Sequence, residues 1–141
     1  MGLTLDQAAR IVDAALAKGR AMNLQPLCVV VLDAGGHLKA MKREDGAGIL
    51  RADVAIGKAW GALGMNATSS RALGDRLKDR PSFLAAIGML AEGKVIGVAG
   101  GLTIYQGDEV VGAVGISGAS SDEDEECALA GVQAAGLTAR P

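Results

Sequence analysis

The sequence predicts an α/β (α+β) fold, a sandwich in which a five-stranded antiparallel sheet is covered by helices on its faces. Short runs rich in β-branched residues occur in two groups, and glycine-containing turns join their members as in hairpins. Helical periodicity marks the segments between and around these groups. Half of the 141 residues are hydrophobic and only 2% are aromatic, so small aliphatic side chains must build the core. The length predicts one domain, residues 1–141.

The last predicted strand, residues 109–117, is the centre of this prediction. Few polar groups interrupt it, so both of its faces are expected to be covered. Glycine weakens a strand interior unless something must come close to its backbone. Gly112 and Gly115 therefore mark the approach of a helix, a second subunit or a flat ligand. The acidic run 120–126 follows and predicts the first turn of a helix.

The first half of the chain predicts a helix and a β-hairpin. Thr4 and Gln7 have the spacing of a capping box, and apolar residues then recur at helical spacing. Residues 27–33 form an apolar, β-branched run, which is typical of a buried strand. Residues 37–43 alternate polar and apolar like a strand with one solvated face. The Ala-Gly-Gly turn between these two runs predicts antiparallel pairing.

A second helix, predicted over residues 49–63, carries apolar residues on two of its sides. Gly57 and Gly61 would let a neighbouring helix pack closely, and we expect that neighbour to belong to another subunit. We therefore predict a homo-oligomer, a dimer or higher. The remaining predicted elements are a short helix from an N-cap at 68–70 to about residue 78, a helix over 82–91, strands over 95–99, 102–106 and 109–117, and a last helix over 122–137.

Charge and composition exclude several classes of function. The formal net charge of −2 provides no basic field for a phosphate backbone, so we expect no nucleic-acid partner. Two cysteines do not make a disulfide framework and suit a reducing compartment. The first residues do not have the pattern of a signal peptide, and no apolar stretch has the length of a membrane span. We expect a cytoplasmic protein with no membrane partner.

Six motifs together resemble one protein family. They are VLDAGGHL (31–38), REDGA (43–47), KA (58–59), GGLTI (100–104), VGAVGISG (111–118) and DEECALAG (124–131). This ordered set resembles the GlcG/HbpS family, whose domain is also the C-terminal domain of some corrinoid adenosyltransferases. The resemblance implies a profilin-like sandwich, assembly into dimers or higher oligomers and, in some members, binding or slow degradation of haem. One position departs from the family pattern, since Thr103 stands where proline is common.

His37 is the only histidine and the first candidate for chemistry. Imidazole ligates iron and titrates near neutrality, so His37 is a candidate haem ligand, metal ligand or general base. The alternative is an exposed polar residue at the start of a strand, making an ordinary hydrogen bond. Three aromatic residues can hardly supply a haem pocket within one subunit. A haem site is therefore expected between subunits.

The resemblance also points to Arg43, Asp45 and Lys58 as candidate catalytic residues beside His37. Arg43 could hold a carboxylate of a substrate or of haem, and a buried Lys58 would have a lowered pKa suited to acid–base work. The structural alternatives are an Arg43–Asp45 ion pair that ties the turn and a Lys58 side chain that reaches water. Gly100, Gly101 and Gly115, with His37 and Arg43, form the predicted cofactor-binding set.

The acidic run 120–126 has two interpretations. Negative side chains in a first helical turn are stabilised by the helix dipole. Alternatively, Glu123 with Glu126, or Asp122 with Glu125, could share iron or another hard cation. Cys127 lies in the same turn, where carboxylates oppose its activation. Cys28 and Cys127 are expected to be small core residues.

Three functional hypotheses follow from these observations. The first is an oligomeric protein that binds a small ligand, either haem or a related planar carboxylated molecule. The second is a catabolic enzyme that performs acid–base chemistry on a small carboxylated substrate at an intersubunit site. The third is a non-catalytic accessory subunit. A shared fold does not decide between them.

Overall fold

A computed structural model describes residues 2–141, which form five helices and four strands. Thr4 and Gln7 make the predicted capping box at the first helix, and Ser69 caps the third helix. The elements in chain order are α1 (Leu5–Ala21), β1 (Cys28–Asp33), β2 (Leu38–Arg43), α2 (Arg51–Gly64), α3 (Ser70–Leu77), α4 (Pro81–Leu90), β3 (Gly101–Gln106), β4 (Glu109–Ser117) and α5 (Ser121–Ala134).

The four strands form one antiparallel sheet in the order β2-β1-β4-β3. The predicted β1–β2 hairpin is present, with Val30 opposite Met41. On its other side β1 pairs with β4, and Val30 lies opposite Gly115. The two central strands β1 and β4 are buried over most of their length, whereas β2 is largely exposed at the sheet edge. Edge position explains why β2 carries lysine and arginine.

The prediction of a strand at residues 95–99, which would have been the fifth of the sheet, is wrong. This segment packs on helices instead of joining the sheet, and Ile96 N–H donates to the carbonyl of Gly57 in α2 at 3.2 Å. Gly97 lies against Gly74 of α3, so closely that a Cβ on Gly74 would lie 1.9 Å from the Gly97 carbonyl oxygen. An apolar, β-branched run suits an extended backbone that lies across helices as well as it suits a strand. In this protein the segment takes the first arrangement, packed on α2 and α3.

The outer edge of β3 is occupied by other backbone. Thr103 N–H donates to the carbonyl of Thr68 at 3.0 Å. Tyr105 and Thr138 exchange two backbone hydrogen bonds, at 2.8 and 3.1 Å. The β3 edge of the sheet is therefore closed to a further strand by the segment before α3 and by the C-terminal segment.

Helices cover both faces of the sheet, as predicted for a sandwich. Helices α1 and α5 pack together on one face, over a core that includes Ile11, Val114 and Ile116. Helix α2 lies across β1, β4 and β3 on the other face, where its alanines contact Val30 and Leu32. Because α2 does not extend over β2, one face of that strand stays open. Among residues 2–141, no helix has the length and hydropathy needed to cross a bilayer.

Candidate functional site

His37 lies at the turn between β1 and β2, immediately before the first residue of β2. Its side chain is 82% exposed and lines an open cleft of about 530 Å³. Asp33, Lys39 and Val111 line the same cleft, together with residues 2–4. The cleft therefore combines one imidazole, one carboxylate and one ammonium group with a small apolar wall.

Asp33 organises the turn that carries His37. Its Oδ1 atom accepts the backbone N–H groups of Gly35 and His37, both at 3.0 Å, and lies 3.4 Å from His37 Nδ1. The bond from the His37 backbone N–H is the largest cause that lowers the pKa of Asp33, so this group is a carboxylate at neutral pH. A carboxylate beside Nδ1 favours a proton there. Nε2 is then the nitrogen that a ligand can use.

Two aromatic residues flank this turn. A Cβ on Gly36, whose φ is +81°, would lie 2.8 Å from Trp60 Nε1, so the indole packs directly on the turn. Ala34, which begins the same turn, lines a second cleft of about 230 Å³ with Thr103 and Tyr105. The aromatic residues are few, but two of the three border the segment that presents His37.

Arg43 and Asp45 lie at the opposite end of β2. Arg43 follows His37 by six residue steps along the extended backbone, which corresponds to about 20 Å. Arg43 and Asp45 line another open cleft of about 530 Å³, together with Arg20 and Glu44. Glu44, rather than Asp45, ties this turn: it pairs with Arg20 Nε at 3.0 Å and accepts the Leu27 N–H at 2.8 Å.

Lys58 is in the interior between α2 and the start of α5. Its side chain is 3% exposed, and Nζ donates to Asp124 Oδ2 at 3.1 Å and to the Ile116 carbonyl at 2.9 Å. Burial lowers the pKa of Lys58 and raises the pKa of Asp124, and each charge opposes the shift of the other. Lys58 does not reach water, and its hydrogen bonds to Ile116 and Asp124 link α2 to β4 and to α5.

The three predicted ligand-contacting glycines face helix α2. A Cβ on Gly115 would lie 2.0 Å from the Ala55 carbonyl oxygen, and one on Gly101 would lie 2.4 Å from the Lys58 carbonyl oxygen. A Cβ on Gly100 would lie 2.7 Å from Lys58 Nζ. The structure therefore groups these glycines with Lys58 and not with His37 or Arg43. Their role as a ligand wall stays a prediction.

Side chains of the acidic run form ion pairs with Arg71 and cap the N-terminus of α5. Ser120 and Glu123 form a capping box at α5. Arg71 of α3 binds Asp122 and contacts Glu125 Oε2 at 3.1 Å, which raises the pKa of the guanidinium. Within residues 2–141, no group of three or more His, Cys, Asp or Glu side chains is arranged to hold a metal ion.

Both cysteines are buried free thiols, as expected of core residues. Burial raises the pKa of Cys28, and burial together with the Asp124 carboxylate raises the pKa of Cys127 to about 11. The two thiols lie in the cores on opposite faces of the sheet. Neither is poised as a nucleophile.

Sequence reasoning missed three residues of these arrangements: Asp33, Asp124 as the partner of Lys58, and Arg71. Asp33 has a local signal, because an aspartate four residues before a histidine across a Gly-Gly turn can accept its N–H. Lys58 and Asp124 are 66 residues apart, and Arg71 is 51 residues from Asp122. No local pattern joins such pairs.

Comparison with known proteins gives relatives of closely similar fold. The chain is 28% identical over 122 residues to an uncharacterized 15.0 kDa protein from the dhaT–dhaS intergenic region of Citrobacter freundii, which covers 86% of this chain and 84% of that protein. It is 30% identical over 116 residues to the corrinoid adenosyltransferase PduO of Salmonella typhimurium. That match covers 82% of this chain but only 34% of PduO, so the chain spans about a third of that enzyme.

Solved structures agree with these relatives. The crystal structure of the PduOC:heme complex superposes with a TM-score of 0.87 at 25% identity, over all of both chains. The crystal structure of HbpS gives a TM-score of 0.80 at 29% identity, covering 94% of this chain and 89% of that one. The family model described as "Haem degrading protein HbpS-like" matches residues 3–133. The chain therefore belongs to the HbpS-like family.

Proposed function

We propose that this chain is an oligomeric small-ligand-binding protein, with haem or a related planar carboxylated molecule as its ligand. It acts as one domain over residues 1–141, in the cytoplasm. The observation that carries the proposal is the single histidine, oriented by a carboxylate at an open cleft of about 530 Å³. The PduOC:heme complex and the HbpS-like family model support haem as the first ligand to test.

The residues around the cleft fit a haem by their chemistry. A histidine that ligates a metal usually donates the N–H of its other ring nitrogen to a carboxylate or a carbonyl, and Asp33 Oδ1 lies 3.4 Å from His37 Nδ1, where it could accept that hydrogen. Lys39 is a cation on the same cleft and can pair with a carboxylate of the ligand. The volume lies within the range of small-molecule sites. Bound haem would supply the redox chemistry of its iron, and the chain would supply the imidazole nitrogen of His37, with Asp33 orienting the ring.

We infer that Arg43 serves as a carboxylate anchor from a second chain. Within one chain Arg43 and His37 line different clefts, at opposite ends of β2. Arg43 is exposed at the open end of β2, where a neighbouring copy could bring it to another cleft. The proposal therefore includes a homo-oligomer whose ligand site uses more than one subunit.

Acid–base catalysis on a small carboxylated substrate is the second candidate function. The Asp33–His37 pair favours it, because a carboxylate that orients an imidazole is a common general-base arrangement. The wider set is not assembled within one chain: Asp45 lines another cleft and Lys58 is buried. The accessory-subunit hypothesis requires that no ligand cleft be left, and an open cleft at His37 argues against it.

Hemin titration tests the proposal. We expect the parent protein to give a shifted Soret band that saturates, with quenching of Trp60, the only tryptophan, because the indole packs on the turn before His37. His37→Ala should weaken binding by at least about tenfold, the loss of one good ligand. Lys39→Ala should weaken it less.

Lys42→Ala is the matched control, since Lys42 lies on the same strand but pairs with Asp13 of α1 at 2.7 Å. Arg43→Ala should reduce hemin affinity only if a second chain contributes to the site. A parent protein that gives no Soret band, or a His37→Ala variant that binds hemin as tightly as the parent, would contradict haem ligation by His37.

A further inference from the structure

Two arginines at one end of the sheet have no carboxylate partner. Arg43 ends β2 and Arg51 begins α2, and both residues are exposed. Among residues 2–141 neither of them forms an ion pair, and the guanidinium of Arg51 donates from Nη1 to Ser117 Oγ at 3.1 Å. A guanidinium group carries five N–H donors. Most of the donors of these two residues, which we call the arginine pair, are therefore unused.

The register of the sheet places the arginine pair on one side of it. Arg43 lies opposite Cys28 of β1, and Cys28 lies opposite Ser117 of β4. Residues that lie opposite one another on neighbouring strands project to the same face, and Cys28 packs in the core beneath α2. Neighbouring strands are about 4.8 Å apart, so about 10 Å separates the backbones of Arg43 and Ser117. The two arginines therefore approach a row only three residues wide, Arg43 from its β2 end and Arg51 from its β4 end.

The charges of the arginine pair act on the interior beside this row. Burial raises the pKa of the Cys28 thiol, and the charge of Arg43 opposes that rise. Burial also raises the pKa of Asp124, and the charges of Lys58 and Arg51 oppose it. Both guanidinium groups therefore lie near the same edge of the core, beside the first turn of α2.

The carboxylates of this region do not neutralise the arginine pair. Asp124 and Glu44 each bind another cation. Asp53 follows Arg51 by two residues on α2 and so projects to a different side of the helix. Asp45 lines the cleft of Arg20, and Arg43 lies at the corner between that cleft and the α2 side of the sheet.

Guanidinium chemistry indicates what this place can bind. Each guanidinium presents N–H groups in a planar fork that matches two oxygens of a carboxylate or a phosphoryl group. Two cations held near one another repel, and a bound anion removes that repulsion. Because α2 does not extend over β2, the space beside Arg43 is open to a small molecule.

We propose that Arg43 and Arg51 bind a small dianion whose charge lies on carboxylate or phosphoryl oxygens. The site is at the end of β2 that is remote from the His37 cleft, so it goes beyond the haem site of the proposed function. It extends the anchor role of Arg43 to a ligand that requires neither haem nor a second chain. Arg51 is the new member of the site, and Ser117 fixes the position of its guanidinium.

Titration with inorganic phosphate, succinate and acetate, at constant ionic strength and slightly alkaline pH, tests the proposal by calorimetry and NMR. We expect at least one of the two dianions to saturate in the millimolar range and to shift the backbone amide signals of Cys28, Arg51 and Ser117. Acetate carries one charge and should bind at least about tenfold more weakly. Tighter binding of succinate assigns the ligand to dicarboxylates, and tighter binding of phosphate assigns it to phosphoryl compounds.

Substitutions of the two arginines test their roles. Arg43→Gln and Arg51→Gln should each weaken binding of the tighter dianion at least about tenfold, the loss of one charged hydrogen-bonding group. Arg51→Lys keeps the charge without the planar fork and should weaken binding less. If Arg51→Gln does not fold, Arg43→Gln decides the question, because the Arg43 side chain makes no ion pair in the described part of the chain.

Arg10→Gln is the matched control. Arg10 is also exposed and without an ion pair among residues 2–141, but it lies on α1, on the other face of the sheet. Its substitution should leave dianion binding unchanged. The proposal is overturned by a parent protein whose Cys28, Arg51 and Ser117 signals do not shift with either dianion. Equal losses of affinity in Arg10→Gln and Arg43→Gln also overturn it, because binding would then follow overall charge.

Hemin titration of the same proteins separates this site from the haem function. Dianion binding in a parent protein without a Soret band contradicts the haem function and leaves the arginine site standing. A Soret band in a parent protein that binds neither dianion does the reverse.

Discussion

The buried pair between Lys58 and Asp124 allows the sharpest prediction about stability. Both side chains are within the interior, 3% and 2% exposed, with Nζ and Oδ2 3.1 Å apart. Removing either partner leaves the other charge buried without compensation, which costs about 3–5 kcal/mol of the free energy of unfolding. In a chain of 141 residues this corresponds to a fall in Tm of about 10–20 °C.

A double-mutant cycle isolates the interaction between the two charges. Lys58→Met with Asp124→Asn removes both charges, and the asparagine Oδ1 can still accept the Ala119 N–H that Asp124 accepts at 3.0 Å. We expect the free energy of unfolding to fall less in the double variant than in either single variant, with a difference of at least about 2 kcal/mol. It should not reach parent stability, because the Ile116 carbonyl loses the ammonium donor. Urea unfolding of the four proteins gives the coupling energy.

The pH dependence of the single variants has opposite signs. Burial raises the pKa of Asp124 above the pKa that this group has in the unfolded chain. The folded state therefore loses stability as the pH rises above the unfolded-state pKa, because the buried carboxyl group is then forced to ionise. The loss in Lys58→Met should therefore shrink when pH falls from 7 toward 4. Burial lowers the pKa of Lys58, so the loss in Asp124→Asn should shrink as pH rises toward 10. Additive single losses, or single losses below about 1 kcal/mol, would refute the reasoning.

Two further predictions concern packing and capping, both measured as changes in the urea midpoint. Gly115→Ala places a methyl 2.0 Å from the Ala55 carbonyl oxygen and should cost about 2–3 kcal/mol. Gly48→Ala is the control, because its nearest atom is Arg51 Cγ at 3.9 Å and Gly48 is not among the glycines of positive φ; equal losses would contradict a packing cause. Ser120→Ala removes the cap that accepts the Glu123 N–H at 3.2 Å and should cost about 1 kcal/mol, and parent-like stability would show that the capping box is dispensable.

Local patterns in the sequence predicted most of the secondary structure. The Thr4–Gln7 box and the Ser69 cap depend on residues three apart, and both are present. The hairpin of β1 and β2 follows from alternation around a glycine turn. The prediction of a strand at residues 95–99 failed because these side chains suit an extended backbone in any apolar surroundings. What places residues 95–99 on helices is the contact of Gly97 with Gly74, which a one-dimensional pattern does not contain.

The candidate site was predictable only in part, for the same reason. His37 was found because it is the only histidine, and its partner Asp33 lies within one turn of chain. Burial of Lys58 was one of two interpretations, the other being a side chain that reaches water, and its partner Asp124 comes from the far end of the sequence. His37 directly precedes β2 and Arg43 ends it, so the length of the strand separates these two predicted ligand-binding residues.

The unequal edges of the sheet have a consequence for how the protein behaves at high concentration. The β3 edge is closed by Thr68 and Thr138, so further strands could add only along β2. In an antiparallel β2–β2 contact, Lys39, Lys42 and Arg43 of one molecule would meet the same cations of the next, and this repulsion opposes fibril-like stacking. Replacing these cations by neutral residues should make the protein prone to aggregate through a strand that is otherwise harmless.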